Sequence, residues 1–134
     1  MEFSRRDLAW LLPALGAAQT EPPKSKTLSY EDLPVKVNGE NRQRAILNTK
    51  THGDFPVEIH ETELAAGQAP HPPHEHAHEE MVLIREGTLE VTISGKSTTL
   101  GAGSVVWVAS NEHHGWRNTG STRARYFVLA LGRA

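Results

Sequence analysis

The segment HPPHEHAHEEMVLIREG, residues 71–87, places four histidines within eight residues and follows them with two glutamates. Neutral imidazoles with a carboxylate suit a divalent first-row transition metal (Fe, Mn, Ni, Zn or Cu), and such sites commonly keep positions open for water or substrate. Residues an even number apart share one face of an extended strand. His74, His76 and Glu80 therefore share a parity and can converge on one point, and His78 has the same parity and competes with them. A further ligand must come from another strand. The chain contains no cysteine, which removes thiolate ligands, disulfides and cysteine nucleophiles and leaves nitrogen and oxygen as donors. The competing reading of such a run is a polar surface loop that holds no metal.

Converging donors need a scaffold. The 134 residues are about one domain's length, and a 37% hydrophobic, 22% charged composition is that of a chain able to bury a single core. A net charge of -2 gives no broad basic face for phosphates, so nucleic acid is not an expected partner.

From Arg44 onward short runs alternate with period two between Gly, Asn and Ser breaks, the pattern of strands and not of helices. Leu89, Val91 and Ile93 face one way, Thr88, Glu90, Thr92 and Ser94 the other, and Ser94-Gly95-Lys96 turns the chain back. Further strands are expected at 44–48, 56–64, 80–86, 97–100, 104–108, 115–118 and 123–131. The nearly unbroken apolar run 126–131 reads as a strand buried on both faces. Eight or so short strands predict an all-β sandwich or barrel. There is no phosphate-cradling glycine loop and no Gly-x-Ser-x-Gly elbow. The isolated His52 and His60 read as surface or internally satisfied histidines, His71 as a residue outside the ligand set and near a pocket mouth, and Trp107 as core or pocket wall. Glu79, opposite in parity to Glu80, is expected to face solvent or to support a ligand from outside, and spacing leaves the roles of Glu61 and Glu63 undetermined.

Ahead of this domain, Arg5 and Arg6 precede an apolar run from Leu8 to Ala18 and then a Pro-rich stretch. That is the layout of a signal peptide, expected over 1–18, with Gly16, Ala17 and Ala18 offering a cleavage point. Ser4-Arg5-Arg6-Asp7-Leu8 resembles a twin-arginine export signal, departing from it at Ala9 and Trp10. The apolar run is shorter than the ~20 residues that cross a bilayer, so no stable membrane insertion is expected after processing. Residues 19–42 read as a linker and N-terminal extension, and 43–134 as the folded domain. The expected address is periplasmic or extracellular; an amphipathic helix packed on a cytoplasmic protein is the alternative.

The histidine segment resembles the first motif of the cupin family, Gly-x5-His-x-His-x3,4-Glu-x6-Gly, through His74, His76, Glu80 and Gly87, with Gly67 one residue early. The second motif, Gly-x5-Pro-x-Gly-x2-His-x3-Asn, is matched by Gly103, His114 and Asn118, with Ala109 in place of proline and Asn111 in place of glycine. Asn tolerates the left-handed conformation such a turn needs. The resemblance covers roughly 51–131. It implies a single jelly-roll β-barrel with His74, His76, Glu80 and His114 as metal ligands, and a homodimer joined through sheet edges. His113 would point outward, while Trp116, of the same parity as His114, joins His78 and Asn118 as a candidate pocket residue. The implied function is a metal-dependent enzyme acting on a small oxygenated or carboxylated metabolite, as an oxygenase, isomerase, lyase or hydrolase. A non-catalytic module that binds a small ligand or metal is the alternative, and a structural barrel with an incidental zinc site a third.

Overall fold

The structure, a computed structural model, describes residues 21–133. The expected signal segment at 1–18 lies outside the described residues. Within them the chain forms a short 3-10 turn at Tyr30–Asp32 and nine strands: β1 Val35–Asn38, β2 Asn41–Lys50, β3 Pro56–Leu64, β4 Glu79–Glu86, β5 Leu89–Ile93, β6 Lys96–Leu100, β7 Val105–Val108, β8 His114–Arg117 and β9 Ala124–Leu131. Among the described residues, no helix is long and apolar enough to cross a membrane.

The strands make two antiparallel sheets, one of six strands in the order β1-β2-β3-β9-β4-β7 and one of three in the order β6-β5-β8. Sequence neighbours such as β4 and β5 lie in different sheets, as a jelly roll requires. Alternation decides what lies between the sheets. Val82 and Ile84 of β4, Val106 and Val108 of β7, Ala124, Tyr126 and Val128 of β9 and Leu64 of β3 meet Leu89 and Val91 of β5 and Trp116 of β8 in one core. Leu64 and Leu89 are fully buried, and each such side chain contributes about 1.5–3 kcal/mol relative to exposure.

Tight turns hold this arrangement. Ser94 and Gly95 have φ of 48° and 82°, the two positive values that a two-residue hairpin between β5 and β6 demands. Gly87, at φ +82°, ends β4 against the backbone of β9, where a Cβ would lie 2.6 Å from the Arg123 carbonyl oxygen. A side chain has no room there.

Several expectations are revised. The edge strand β1 falls within the stretch expected as an extension, and β2 begins at Asn41, earlier than Arg44. β1 has only four residues, all exposed, and its Val35 and Val37 alternation is too short to mark a strand by itself. β9 is not buried on both faces: Ala124, Tyr126 and Val128 are buried while Arg125, Phe127 and Leu129 are only partly covered. Trp107 is not core: Val106 and Val108 point inward, and parity leaves it 52% exposed beside a surface cleft.

The outer face of the six-stranded sheet carries two kinds of surface. Cross-strand register lines up Leu47, Ile59, Leu129, Met81 and Trp107 across five strands, with Phe127, Leu83 and Val105 in the adjacent row. At one end of the face, Glu61 and Glu63 are 0% and 1% exposed under a cover of arginines. Arg44 reaches Glu63 at 3.1 Å and Glu61 at 3.6 Å, Arg85 reaches Glu61 at 3.2 Å, and Arg123 and Arg125 reach Glu63 at 3.4 and 3.6 Å. The Tyr30 ring lies under both Arg44 and Arg85, 4.5 and 5.2 Å from their guanidinium carbons, so cation–π contact ties the N-terminal segment to this cluster.

Candidate metal centre

Three separate parts of the chain bring the donors together. Glu80 is the second residue of β4 and points inward with Val82 and Ile84. His114 opens β8, the outer strand of the small sheet. His74 sits on no strand but forms an isolated bridge to His114: the His74 N–H donates to the His114 carbonyl at 2.9 Å and the His114 N–H donates back at 2.8 Å. His76 lies in the following loop, where its carbonyl accepts the Asn111 N–H at 2.8 Å. Asn111 has φ of 60°, so asparagine takes the left-handed turn that the second motif assigns to glycine.

One ligand atom from each of His74, His76, Glu80 and His114 lies within 4.8 Å of all the others. Donors at ~2.0–2.2 Å from one cation stand about 3–4 Å apart, so this spacing suits a single ion. Glu80 Oε1 is 3.2 Å from His76 Nε2, and Glu80 Oε2 is 3.5 Å from His114 Nε2. The ring orientations fit as well. His76 Nδ1 bonds to the His78 carbonyl and His114 Nδ1 to the Glu112 carbonyl, both at 2.8 Å. An N–H must donate to a carbonyl, so each ring carries its proton on Nδ1 and directs the Nε2 lone pair into the cluster. His114 Nε2 and Glu80 Oε2 are buried atoms with no hydrogen-bond partner among the described residues, a costly arrangement that a bound cation would satisfy.

Electrostatics favour the same occupant. Burial, reinforced by the neighbouring rings of His71, His114 and His76, pushes His74 down to about 2, so its imidazole is neutral. Burial pushes Glu80 upward, but the imidazoles of His114, His76 and His78 around it outweigh that and hold the carboxyl well below its usual range. Burial likewise lowers His76, yet the neighbouring Glu80 carboxylate raises it overall. An ionised carboxylate set among imidazoles suits a divalent cation.

Beside it lies a chamber of about 20 Å³ lined by Glu80, His60, Thr62, Gln43, Tyr126 and Trp116. That volume is room for one water. Tyr126 is fully buried and accepts a hydrogen bond from Trp116 Nε1 at 2.8 Å, and burial pushes its hydroxyl well above the usual phenol range. His60 is satisfied by Glu58, its Nδ1 3.0 Å from that carboxylate. His71 lines both this chamber and an outer groove of about 340 Å³, and stacks on His74 at 4.0 Å between ring centroids.

The four expected donors thus meet, by a route different from the one parity suggested. His74 and His76 do not belong to a regular strand leading to Glu80; β4 starts at Glu79, and the bridge and loop carry them in. His78 approaches from outside the set, with Nε2 3.5 Å from Glu80 Oε1. Trp116 is buried beside the chamber, and His113 and His52 are exposed. Asn118 lines neither cavity: its Nδ2 donates to the carbonyls of Leu64 and Thr122 at 3.0 and 2.8 Å, tying loops together. Gln43, Thr62 and Tyr126 went unnoticed in the sequence; Thr62 shares parity with His60 and Leu64 on β3, and that was the available signal.

No curated protein matches the chain. Solved structures do. An RmlC-like cupin from Shewanella frigidimarina NCIMB 400 superposes with a TM-score of 0.66 at 15% identity, covering 82% of this chain and 93% of that one. A predicted oxalate decarboxylase from Thermotoga maritima gives 0.69 at 19%, covering 81% and 100%. KdgF from Halomonas sp. gives 0.69 at 14%, covering 82% and 96%. These likenesses concern the fold. The family model described as Cupin domain matches residues 60–130, more than half the chain and the whole of the donor cluster, and the protein belongs to the cupin family.

Proposed function

We propose that this protein is a metal-dependent cupin enzyme acting on a small oxygenated or carboxylated metabolite. The observation that carries the reading is the set of three imidazoles and one carboxylate, Nδ1 protons turned outward on His76 and His114, beside a small polar chamber. A divalent cation in such a site lowers the pKa of bound water or polarises a substrate oxygen. His74, His76, Glu80 and His114 would hold it. Gln43, Thr62 and Tyr126 would offer hydrogen bonds to a ligand oxygen, and Tyr126, with its proton held by burial, would act there as a neutral group. The chamber has room for one water, so admitting a carbon substrate requires His71 and Pro70 to shift. The similar Thermotoga protein, whose description names a carboxylate-cleaving activity, is in keeping with a small carboxylate.

The alternative is a module that captures a ligand without turnover. It is favoured by the size of the chamber beside the donors, about 20 Å³, which holds a water and no carbon substrate as it stands. Metal-loaded protein incubated with a panel of small hydroxy and dicarboxylic acids separates the two. Product formation that disappears with a chelator is expected; saturable binding with every compound recovered unchanged identifies the module.

We also propose a homodimer, formed through the outer face of the six-stranded sheet and not its edges. Six strands ~4.8 Å apart and averaging about 24 Å in length present roughly 700 Å², close to the ~800 Å² each partner contributes to a stable interface. The charges bordering this face are paired within the chain, so an identical face is not repelled. Light scattering of the full chain should give twice 14.8 kDa, and Trp107→Glu should halve the mass. A dimer that survives Trp107→Glu but dissociates on Val37→Pro in β1 would return the contact to the edge.

A further inference from the structure

We propose that His78 is a positioning residue for the metal centre, holding Glu80 by Oε1 so that the carboxylate meets the cation through Oε2 alone. The inference rests on the metal-binding reading above. His78 is outside the four donors that lie within 4.8 Å of one another, yet it touches two of the residues that supply them. Its ring stacks on that of His76, with centroids 3.7 Å apart and planes 7° from parallel. Its carbonyl accepts the His76 Nδ1 proton at 2.8 Å. Its Nε2 stands 3.5 Å from Glu80 Oε1, an ion-pair contact a few tenths of an ångström longer than a hydrogen bond.

The two carboxylate oxygens of Glu80 are consequently unlike. Oε2 faces His114 Nε2 at 3.5 Å and has no hydrogen-bond partner among the described residues, whereas Oε1 lies between His76 and His78. Once the His76 Nε2 lone pair is directed at a cation, that nitrogen no longer serves Oε1 as a donor, and the His78 Nε2–H stays within reach of it. Engaging Oε1 in this way keeps the carboxylate from chelating through both oxygens. One coordination position is then left for water or substrate that a chelating carboxylate would occupy. The bend at Ala77 and His78 just before β4 places residue 78 to do this; an outer partner of this kind typically changes metal affinity about 10–100-fold when removed.

Cobalt(II) binding by the full chain tests the proposal, read by chelator competition and by the visible absorption of the bound ion. His78→Ala should bind cobalt about 10–100-fold more weakly than the unaltered protein, and its visible bands should lose intensity as the second carboxylate oxygen raises the coordination number. His78→Gln, which retains an N–H donor, should recover most of the affinity and the original spectrum. Unchanged affinity and spectrum in His78→Ala would overturn the assignment, as would a His78→Gln protein as impaired as His78→Ala. Loss of cobalt as complete as in His76→Ala would make residue 78 a ligand instead, again against it. If the unaltered chain itself takes up no cobalt, the metal centre and this inference fail together; if it binds and His78→Ala is indistinguishable from it, this inference fails alone.

Discussion

His114→Ala protein should emerge from purification without its divalent cation and still folded, and His76→Ala should do the same. Each change removes one of four donors that lie within 4.8 Å of one another, together with an Nε2 lone pair oriented by a backbone hydrogen bond. Losing a direct ligand should weaken binding by more than the ~100-fold upper range for outer partners. Elemental analysis beside circular dichroism separates metal loss from unfolding. The two positions also control for each other, since His114 is 1% exposed and its truncation leaves a cavity, whereas His76 is only partly buried. Metal bound to the folded state alone contributes about 2.7 kcal/mol at a hundredfold excess over Kd, so the unaltered protein should lose Tm on chelation while neither variant responds. Retention of stoichiometric metal by both variants would show that the cluster is not the site.

The second large effect is expected on the outer face of the six-stranded sheet. Arg44→Ala should destabilise the fold by about 3 kcal/mol, because it strips a shared cation from carboxylates that are taken out of water. Glu61 and Glu63 lie at 0% and 1% exposure, and Arg44 contacts both. Arg85, Arg123 and Arg125 still reach them, which keeps the loss below that of a wholly unpaired ion. The deficit depends on pH in a defined direction. Burial raises the Glu63 pKa, but its hydrogen bond from Arg44 and the charges of Arg125 and Arg123 outweigh it and hold the carboxyl below its ordinary range. A depressed carboxylate stabilises the fold above its unfolded pKa, and that contribution is lost as pH falls through the folded value. The gap between Arg44→Ala and the unaltered protein should therefore be full near neutrality and shrink below about pH 4. Urea unfolding at pH 7 and pH 3 measures it; a gap that widens in acid would contradict the ion-pair account.

Much of the centre was legible before any coordinates. The strand at 56–64 was read with both ends correct, and the turn at Ser94-Gly95 and the tolerance of Asn111 for a left-handed conformation followed from residue type. Other features were hidden for identifiable reasons. β1 is four exposed residues whose two valines, Val35 and Val37, are too short a run to betray a strand. The apolar run 126–131 does not say which of its two faces is covered, so Phe127 is only partly buried, and Trp107 is pocket wall and not core. The roles of Glu61 and Glu63 stayed undetermined in the sequence, because the arginines that bury them come from β2, β4, β9 and, with Arg123, the loop between β8 and β9.

What the amino-acid order determined alone is chemistry and local geometry: nitrogen and oxygen donors without thiols, strands of period two, and two histidine-bearing motifs. What only the tertiary structure decided is which equal-parity donors share a point. Parity ranks His74, His76, His78 and Glu80 alike, but it holds only along a continuous strand, and here the chain bends at residues 77–78. The His74–His114 backbone bridge, a contact across 40 positions of sequence, sets the direction from which each ring enters. Long-range pairing of this kind is a property of how the sheets close, and no local pattern encodes it.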